Sequence, residues 1–364
     1  GKGYIFIENA SNNVRIGKNS LGTLAETGSA VSNTIIGTQA GQAITNGAEN
    51  TVVGFNAMAG ASVQTGNTIL GVGAMSNGYG GADVAIGKDS LKFGANTNSN
   101  PNLNDPTNRV AIGNNALAGT ATALQVGEEI VAIGTSAGQY TSSTVAGGGI
   151  FIGSFAGQHT VNNQSRNGIN QIAIGRRAMQ YFTSSESVAI GAFSMIDSNT
   201  SGARIGGTGH VAIGTHALGS VGGAPSVSGS HNIAIGYKAQ DAIQDLGSDT
   251  IAMGREAKAQ GTDSIAIGRQ TQAGTSVNNE SIAIGCSAAA AAKNCMAIGF
   301  NSSASGDGSL ALGKNSVTTD DNQLSFGSTT VPLGLIENSG VNVTKRWKIH
   351  INGAYYYVGL QPAP

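Results

Sequence analysis

The chain has 364 residues, of which 56 are glycine, 11% are charged and 5% are aromatic, and this composition is unlike that of an ordinary globular domain. A formal net charge of -1 without any run of Lys or Arg argues against binding to nucleic acid or to an anionic membrane surface. No apolar run approaches the roughly 18 residues of a membrane-spanning helix. We therefore expect neither a nucleic-acid partner nor membrane insertion.

Residues 1–13 precede the first copy of a repeat and are predicted to form an N-terminal connecting segment. From Val14 to about Thr330 one seven-residue phrase returns eighteen times. An aliphatic or β-branched residue, a variable residue and a second apolar residue precede a Gly, and Ala, Ser or Thr follows three positions later. A register held over this length marks one structural unit that is repeated. The Gly of the phrase stands at Gly17, Gly37, Gly54, Gly71, Gly87, Gly113, Gly134, Gly153, Gly175, Gly191, Gly214, Gly236, Gly254, Gly268, Gly285, Gly299, Gly313 and Gly327.

Each phrase predicts a short strand, with Val211 and Ile213 on one face and Ala212 on the other. The Gly permits a bend or a close approach of neighbouring backbone. We expect the small residue three positions later to be buried and the two residues between them to be exposed. The smallest Gly-to-Gly spacing is 14 residues, and the extra residues of longer spacings are polar and Gly-rich. These features predict an all-β parallel solenoid of about eighteen coils with inserted surface loops.

A single chain of this kind has little to bury. If each coil buries two large aliphatic side chains, the gain of roughly 3 to 6 kcal/mol is smaller than the backbone entropy lost over 14 residues, about 1 to 2 kcal/mol for each residue. Small residues on the second face of the strand would let other chains approach closely. The sequence therefore favours an oligomeric rod.

The copies Ser264–Gly268, Ser281–Gly285 and Ser309–Gly313 resemble the head repeats of YadA-like trimeric autotransporter adhesins. This resemblance implies a left-handed parallel β-roll, a homotrimer, no chemistry of its own and adhesion to a host surface. The looser copies, such as Asn33–Gln42, resemble the YadA-like repeats of bacteriophage tail fibres.

Residues 331–364 depart from the adhesin pattern, which continues into a heptad stalk and a membrane barrel. Two alternating runs around Asn352-Gly353 predict a β-hairpin, which is similar to the closing hairpin of many phage structural proteins. The hairpin is predicted to serve as a cap or tip. We therefore expect a non-enzymatic virion fibre that attaches to, or supports attachment to, the bacterial surface. Its expected partners are other phage structural proteins and a bacterial surface glycan or protein.

Two alternatives stay open at this stage, a bacterial adhesin head on the cell surface and a left-handed β-helix acyltransferase. The acyltransferase repeat is a multiple of six residues, which the spacings here do not fit. The histidines are predicted to be surface or loop residues, and no catalytic group, cofactor or metal site is expected. They are His159, His210, His216, His231 and His350.

Cys286 and Cys295 are too few for a disulfide framework and have no metal-ligand spacing, so both are predicted to be small buried residues in repeat positions. Exposed aromatic residues are candidates for stacking on the sugar rings of a receptor. The candidate receptor contacts are Tyr140, Tyr181, Phe182, Trp347 and Tyr356.

Overall fold

The structure is a computed structural model of the chain. For β1 and the two C-terminal strands defined below, only the backbone is described. The structure describes residues 5–8, 11–21, 30–60, 64–77, 80–92, 108–119, 129–139, 147–158, 170–181, 185–196, 207–219, 229–241, 243, 246–275, 280–328, 346–351 and 354–359.

The described residues form strands and turns and contain no helix, and hence none that could span a membrane. The strands are β1 (Ile5–Glu8), β2 (Asn13–Ile16), β3 (Thr34–Ile36), β4 (Thr51–Val53), β5 (Thr68–Leu70), β6 (Val84–Ile86), β7 (Val110–Ile112), β8 (Val131–Ile133), β9 (Ile150–Ile152), β10 (Ile172–Ile174), β11 (Val188–Ile190), β12 (Val211–Ile213), β13 (Ile233–Ile235), β14 (Ile251–Met253), β15 (Lys258–Ala259), β16 (Ile265–Ile267), β17 (Gln272–Ala273), β18 (Ile282–Ile284), β19 (Ala289–Ala290), β20 (Met296–Ile298), β21 (Ser303–Ala304), β22 (Leu310–Leu312), β23 (Val317–Thr318), β24 (Leu324–Phe326), β25 (Arg346–Ile351) and β26 (Ala354–Gly359).

The strand of every phrase joins one 19-stranded sheet, in which β2 to β14 and then β16, β18, β20, β22 and β24 pair in parallel, each with the next. Equivalent residues lie opposite one another: Ala189 of β11 pairs with Ala212 of β12, which pairs with Ala234 of β13. This register confirms the predicted all-β parallel solenoid.

The predicted count of about eighteen coils of one kind is not what the structure shows, because the coils are of two kinds. Thirteen strands, β2 to β14, stack before any second strand appears. Only the coils that begin with β14, β16, β18, β20 and β22 carry a second strand, and these second strands form a separate five-stranded parallel sheet.

The fourth residue after the Gly distinguishes the two kinds of coil. In the first kind it has a positive φ and is often a large apolar residue that is buried, as are Met58 and Leu117, with φ of 51° in each. In the second kind it is the first residue of the second strand, such as Lys258, and the buried side chain is the following Ala259. Where the fourth residue after the Gly turns a large side chain inward, no second strand forms. Where the fourth residue points outward and the fifth points inward, the alternation of a strand is kept and a second strand pairs with its neighbours.

The Gly that ends each strand stands directly above the Gly of the next coil. A Cβ added to Gly37 would lie 2.3 Å from the carbonyl oxygen of Gly54, and the φ of Gly37 is 140°. Such a φ is accessible only to Gly, and no side chain fits between the stacked backbones. This close approach, predicted from the sequence, is confirmed.

The interior of the solenoid is made mainly of small side chains. The central residue of the strand is Ala in most copies and is buried in every strand of the main sheet from β3 to β22, and so is the small residue three positions after most of the Gly residues. Phe151 is an exception, and nearby glycines leave room for it: a Cβ on Gly157 would lie 2.2 Å from the Phe151 ring. Because the interior is close-packed, a larger side chain at one position requires a smaller residue at a neighbouring position.

Ala212→Leu is expected to lower the stability by about 1 to 3 kcal/mol, because Ala212 is fully buried and the added atoms have no space. Ala192→Leu is the control, since Ala192 is half-buried in a surface turn of the preceding coil. Urea unfolding of the two variants checks the prediction. Equal unfolding curves would contradict the burial of this column.

The two ends of the main sheet differ. At the first end β1 pairs antiparallel with β2, so the edge of β2 is covered by a strand that runs against the stack. At the other end β24 has no described strand beyond it, and Leu324 and Phe326 are about half exposed, at 52% and 47%. β25 and β26 form the predicted antiparallel hairpin, with Ile349 opposite Tyr356. Its role as a cap stays a prediction.

Candidate functional site

The large aliphatic residues of the phrase face outward from the solenoid, which corrects the expectation that each chain buries them in its own coils. They flank the buried central residue on both sides and form two columns that we call the aliphatic face. Ile190, Ile213 and Ile267 are each 37% exposed, and Met253 is 39% exposed. The small residues point into the coil instead of toward other chains.

The aliphatic face runs the length of the sheet. Eighteen strands at about 4.8 Å per strand make a stripe about 80 Å long. Monomeric proteins rarely expose continuous apolar strips of this kind, and large exposed apolar patches mark interaction sites. The described geometry therefore gives the chain one long apolar surface with no described residue across it.

A second outward surface is made by the two residues after each Gly. The second of them has a positive φ in every coil from β2 to β22, and its backbone N–H donates to the carbonyl oxygen of the first of them in the preceding coil. His216, for example, donates to Ala192 at 3.1 Å and Lys238 donates to Thr215 at 3.0 Å. The pair is exposed or half-buried in most of the described coils, with Ser136 as a buried exception, and the ladder holds the side chains in line.

Cationic and aromatic side chains gather on this line over the coils that begin with β9 to β13. The Arg176 guanidinium lies 4.5 Å from the centroid of the Phe193 ring, and Arg177 lies 5.8 Å from the Phe155 ring and 5.9 Å from the Phe193 ring. Phe193 stacks on His216 with 4.9 Å between centroids and 6° between planes. We call this set the cation–aromatic ridge; it consists of Phe155, Arg176, Arg177, Phe193, His216 and Lys238.

A buried polar column occupies the position four residues before the Gly in most coils. Near the start of the stack it is a ladder of amides: the side-chain oxygen of Asn13 accepts from the backbone N–H of Asn33 at 2.9 Å and from its side-chain amide at 3.1 Å. Asn50 repeats these contacts on Asn33. The ladder satisfies interior polar groups coil by coil, as buried polar groups require.

The amide ladder ends in a buried ion pair. The Arg109 guanidinium donates from Nη2 to Oδ2 of Asp83 at 2.6 Å and from Nε to Oδ1 at 3.1 Å. The two side chains are 1% and 0% exposed. Sequence reasoning missed this column, although aligning the eighteen phrases would have placed Asn, Asp and Arg in one register.

The predicted receptor contacts are only partly described. Tyr140 and Phe182 lie outside the described residues. Tyr181 is half-buried, and its backbone N–H donates to the carbonyl of Gln158 at 2.9 Å. Trp347 lies in β25 and Tyr356 in β26, where only the backbone is described. Their role as receptor contacts stays a prediction.

The histidines do not all lie on the surface, as had been expected. His210 is fully buried in the polar column, where its Nδ1 accepts from the backbone N–H of Asn232 at 3.3 Å, because this column faces the interior in every coil. His216 belongs to the ridge, and His231 is exposed with Nδ1 3.5 Å from Asp249. His159 lies outside the described residues, and only the backbone of His350 is described.

The two cysteines differ in position. Cys295 is buried, as predicted, and burial raises the pKa of its thiol. Cys286 is half-exposed, which corrects the prediction of burial, because it directly follows a Gly and so falls in the outward turn. The hydrogen bond with Ser287, and after it the Arg269 guanidinium whose Nη2 lies 3.1 Å from Sγ, lowers the pKa of the Cys286 thiol.

The described residues contain no group of three or more His, Cys, Asp or Glu side chains that could hold a metal ion. The two outward surfaces described above, an apolar stripe and a line of turn residues, are extended surfaces of the kind that suits binding between macromolecules.

Similarity to known families is confined to part of the solenoid. The family model of the YadA head domain repeat matches residues 246–271, 290–316 and 304–322. These segments fall where the coils carry two strands, and they confirm the resemblance of this part of the chain to YadA-like heads. No curated protein sequence matches the chain.

Proposed function

We propose that the chain is a non-enzymatic adhesin-type rod that acts as a homotrimer at a biological surface. The aliphatic face carries this proposal, since a stripe of outward Ile, Val and Leu side chains needs a partner along its whole length. Covering the exposed third of one such side chain contributes about 0.5 to 1 kcal/mol, and the contributions add over many coils. The YadA head match favours a trimer as the arrangement that covers the face.

The proposal includes a left-handed roll in each chain and a threefold arrangement of the chains. Chains packed with their aliphatic faces toward a common axis would share one apolar interior, while the turns after the Gly stay at the periphery. A trimer so built has three copies of every surface feature. Repeated weak contacts then raise the avidity of the rod for a surface.

We further propose that the rod is a fibre of a bacteriophage virion that attaches to, or supports attachment to, the bacterial host. The antiparallel pairing of β25 and β26 supports this setting through the resemblance of this hairpin to the closing hairpins of phage structural proteins. The bacterial adhesin head on the cell surface is the second candidate, favoured by the family match. It predicts that the full gene continues into a stalk and a membrane anchor.

The positions of His210 and His216, which flank one phrase, disfavour a β-helix acyltransferase that would use either of them as its base. His210 is enclosed in the interior and His216 lies against a phenylalanine ring. A general base needs access to the hydroxyl or amine that it activates. Acetyl-coenzyme A turnover by the purified chain would overturn this part of the proposal.

Sedimentation velocity with negative-stain imaging tests the rod, and binding of the labelled chain to bacterial cells tests the adhesive role. We expect a trimeric mass, a slender rod about 80 Å long in its solenoid part, and saturable binding to cells. A compact particle, a monomer at micromolar concentration or a failure to bind any bacterial surface would contradict the proposal.

A further inference from the structure

The cation–aromatic ridge is placed on the most regular part of the surface. Arg177 donates its backbone N–H to the carbonyl of Ser154 at 2.9 Å, and Phe193 donates to Arg176 at 2.9 Å. Because this ladder continues through His216 and Lys238, the five turns are fixed one strand spacing apart. The ridge is thus a straight line of side chains about 19 Å long.

The residues of the ridge are not those that the local backbone would select. Phe155, Arg177 and Phe193 have φ of 60°, 58° and 59°, a region that costs a residue with a Cβ about 1 to 2 kcal/mol and that Asn tolerates more easily. Several other coils have Asn at the same position, including Asn56 and Asn115. The residues of the ridge at this position thus carry a backbone cost that Asn would lower.

The cations of the ridge have no acidic partner in the described part of the chain. Arg176 and Arg177 are exposed and Lys238 is half-buried, and the ion pairs of the described residues do not include any of the three. The nearest acidic residues on this line lie beyond the ridge on either side: Asp89, which pairs with Lys92 at 2.7 Å, and Glu256, which lies 4.0 Å from Arg255. A chain of almost neutral net charge thus carries a local strip of positive charge.

The phenylalanine rings hold the two guanidinium groups close together. The guanidinium carbons of Arg176 and Arg177 lie 4.5 Å and 5.9 Å from the centroid of the Phe193 ring. Guanidinium N–H groups form forked hydrogen bonds that match carboxylate, sulfate or phosphate oxygens. The faces of Phe193 and His216 are closed against each other at 4.9 Å, which leaves no gap into which a nucleic-acid base could stack.

We propose that the cation–aromatic ridge binds an anionic polysaccharide lying along the rod. The ridge is a line about 19 Å long and one to two side chains wide, whereas a globular protein partner covers a broad patch of roughly 800 Å². A polar chain with repeated negative groups fits both its length and its charge.

This inference rests on the proposed adhesive function and names the chemistry of the receptor. Carboxylated and sulfated polysaccharides share the anionic groups that the arginines recognise. Binding is expected to weaken as salt rises, because the contacts are exposed to solvent. Each of the chains in a trimer presents one ridge, so the same polymer can engage more than one copy.

The test applies affinity electrophoresis to the trimer of the whole chain, in gels that contain polygalacturonate, dextran sulfate or neutral dextran. A labelled thymidine oligonucleotide serves as a fourth probe, and its binding is measured in solution. We expect retardation by one or both anionic polysaccharides and none by dextran. R176Q/R177Q should weaken this binding about tenfold or more. The charge-matched control R269Q/K314Q removes two exposed cations that lie outside the ridge and should bind within about twofold of the unmodified chain.

Stronger retardation by polygalacturonate than by dextran sulfate assigns the ridge to carboxylated glycans, and the reverse assigns it to sulfated ones. Three results would overturn the inference. The first is that R176Q/R177Q and the control bind the polysaccharides equally well, and the second is that the oligonucleotide binds as tightly as the polysaccharides. The third is that R176Q/R177Q no longer forms a trimer, which would place the ridge in a subunit interface. If R176Q/R177Q binds whole cells as well as the unmodified chain does, the ridge is not the receptor site, but the proposed adhesive function of the rod is unaffected. Absence of cell binding by the unmodified trimer removes the proposed function itself.

Discussion

Ile190→Asp/Ile213→Asp/Ile267→Asp is expected to dissociate the assembled rod into single chains. Each of these side chains lies on the aliphatic face and is 37% exposed in the single chain. If the faces of three chains meet, the variant places nine carboxylates in one apolar seam. Desolvation costs several kcal/mol for each unpaired charge, and the like charges also repel one another.

Sedimentation velocity and mass photometry measure the change. The matched control Ala192→Asp/Thr215→Asp/Arg269→Asp alters the same three coils at the residue after the Gly, which faces solvent, and should remain trimeric. A milder variant with Thr at the three Ile positions keeps strand propensity and should weaken assembly less than Asp does. A trimer that persists in the Asp variant would show that the aliphatic face is not the interface.

Asp83→Ala is expected to lower the stability of the solenoid by about 3 to 5 kcal/mol, because it leaves the Arg109 charge buried without a partner. Asp83 also accepts the backbone N–H of Arg109 at 2.9 Å, so the variant breaks the polar column as well. Urea unfolding followed by far-ultraviolet circular dichroism measures the loss.

Asp89→Ala is the control for Asp83→Ala. Asp89 forms an ion pair with Lys92 at 2.7 Å on the surface, where the Lys92 side chain is 42% exposed, and pairs of this kind contribute about 0 to 1 kcal/mol. Asp83→Asn retains an oxygen that accepts a hydrogen bond from Arg109, so its loss of stability should fall between that of Asp83→Ala and that of Asp89→Ala. Equal losses for Asp83→Ala and Asp89→Ala would contradict the importance of the buried pair.

Much of the fold could be predicted from the phrase. Alternation of Val211, Ala212 and Ile213 gives a strand by its period of two, and the recurrence of Gly gives stacked coils in one register. The close approach at the Gly positions also follows, since no other residue fits backbone against backbone. These are local or strictly periodic properties, which a single sequence carries in full.

The direction of the two strand faces could not be predicted in the same way. Alternation states that Ile213 and Ala212 point oppositely, but it does not state which side closes into a coil. In the folded coil the central residue of the strand faces the interior, whether it is Ala212 or Ile35, and the two flanking aliphatic residues face outward. The size of the enclosed space, which is set by the whole turn, decides the question.

The polar column and the ridge depend on contacts between coils. Asp83 and Arg109 are 26 residues apart, and Arg177 and Phe193 are separated by an entire coil. The spacing between such residues varies with the inserted loops, so no fixed interval in the sequence brings them together. Only alignment of the phrases, or the stacked structure, places them side by side.

The sequence by itself determined that this chain is a parallel stack of short strands, with Ala at the centre of most strands and two variable residues after each Gly. The tertiary structure alone decided that the aliphatic columns lie outside, that a buried ion pair ends the amide ladder, and that cations and aromatic rings line up over successive coils. The reason is that period and residue size act along the chain, whereas enclosure and stacking act between coils that are adjacent only after folding.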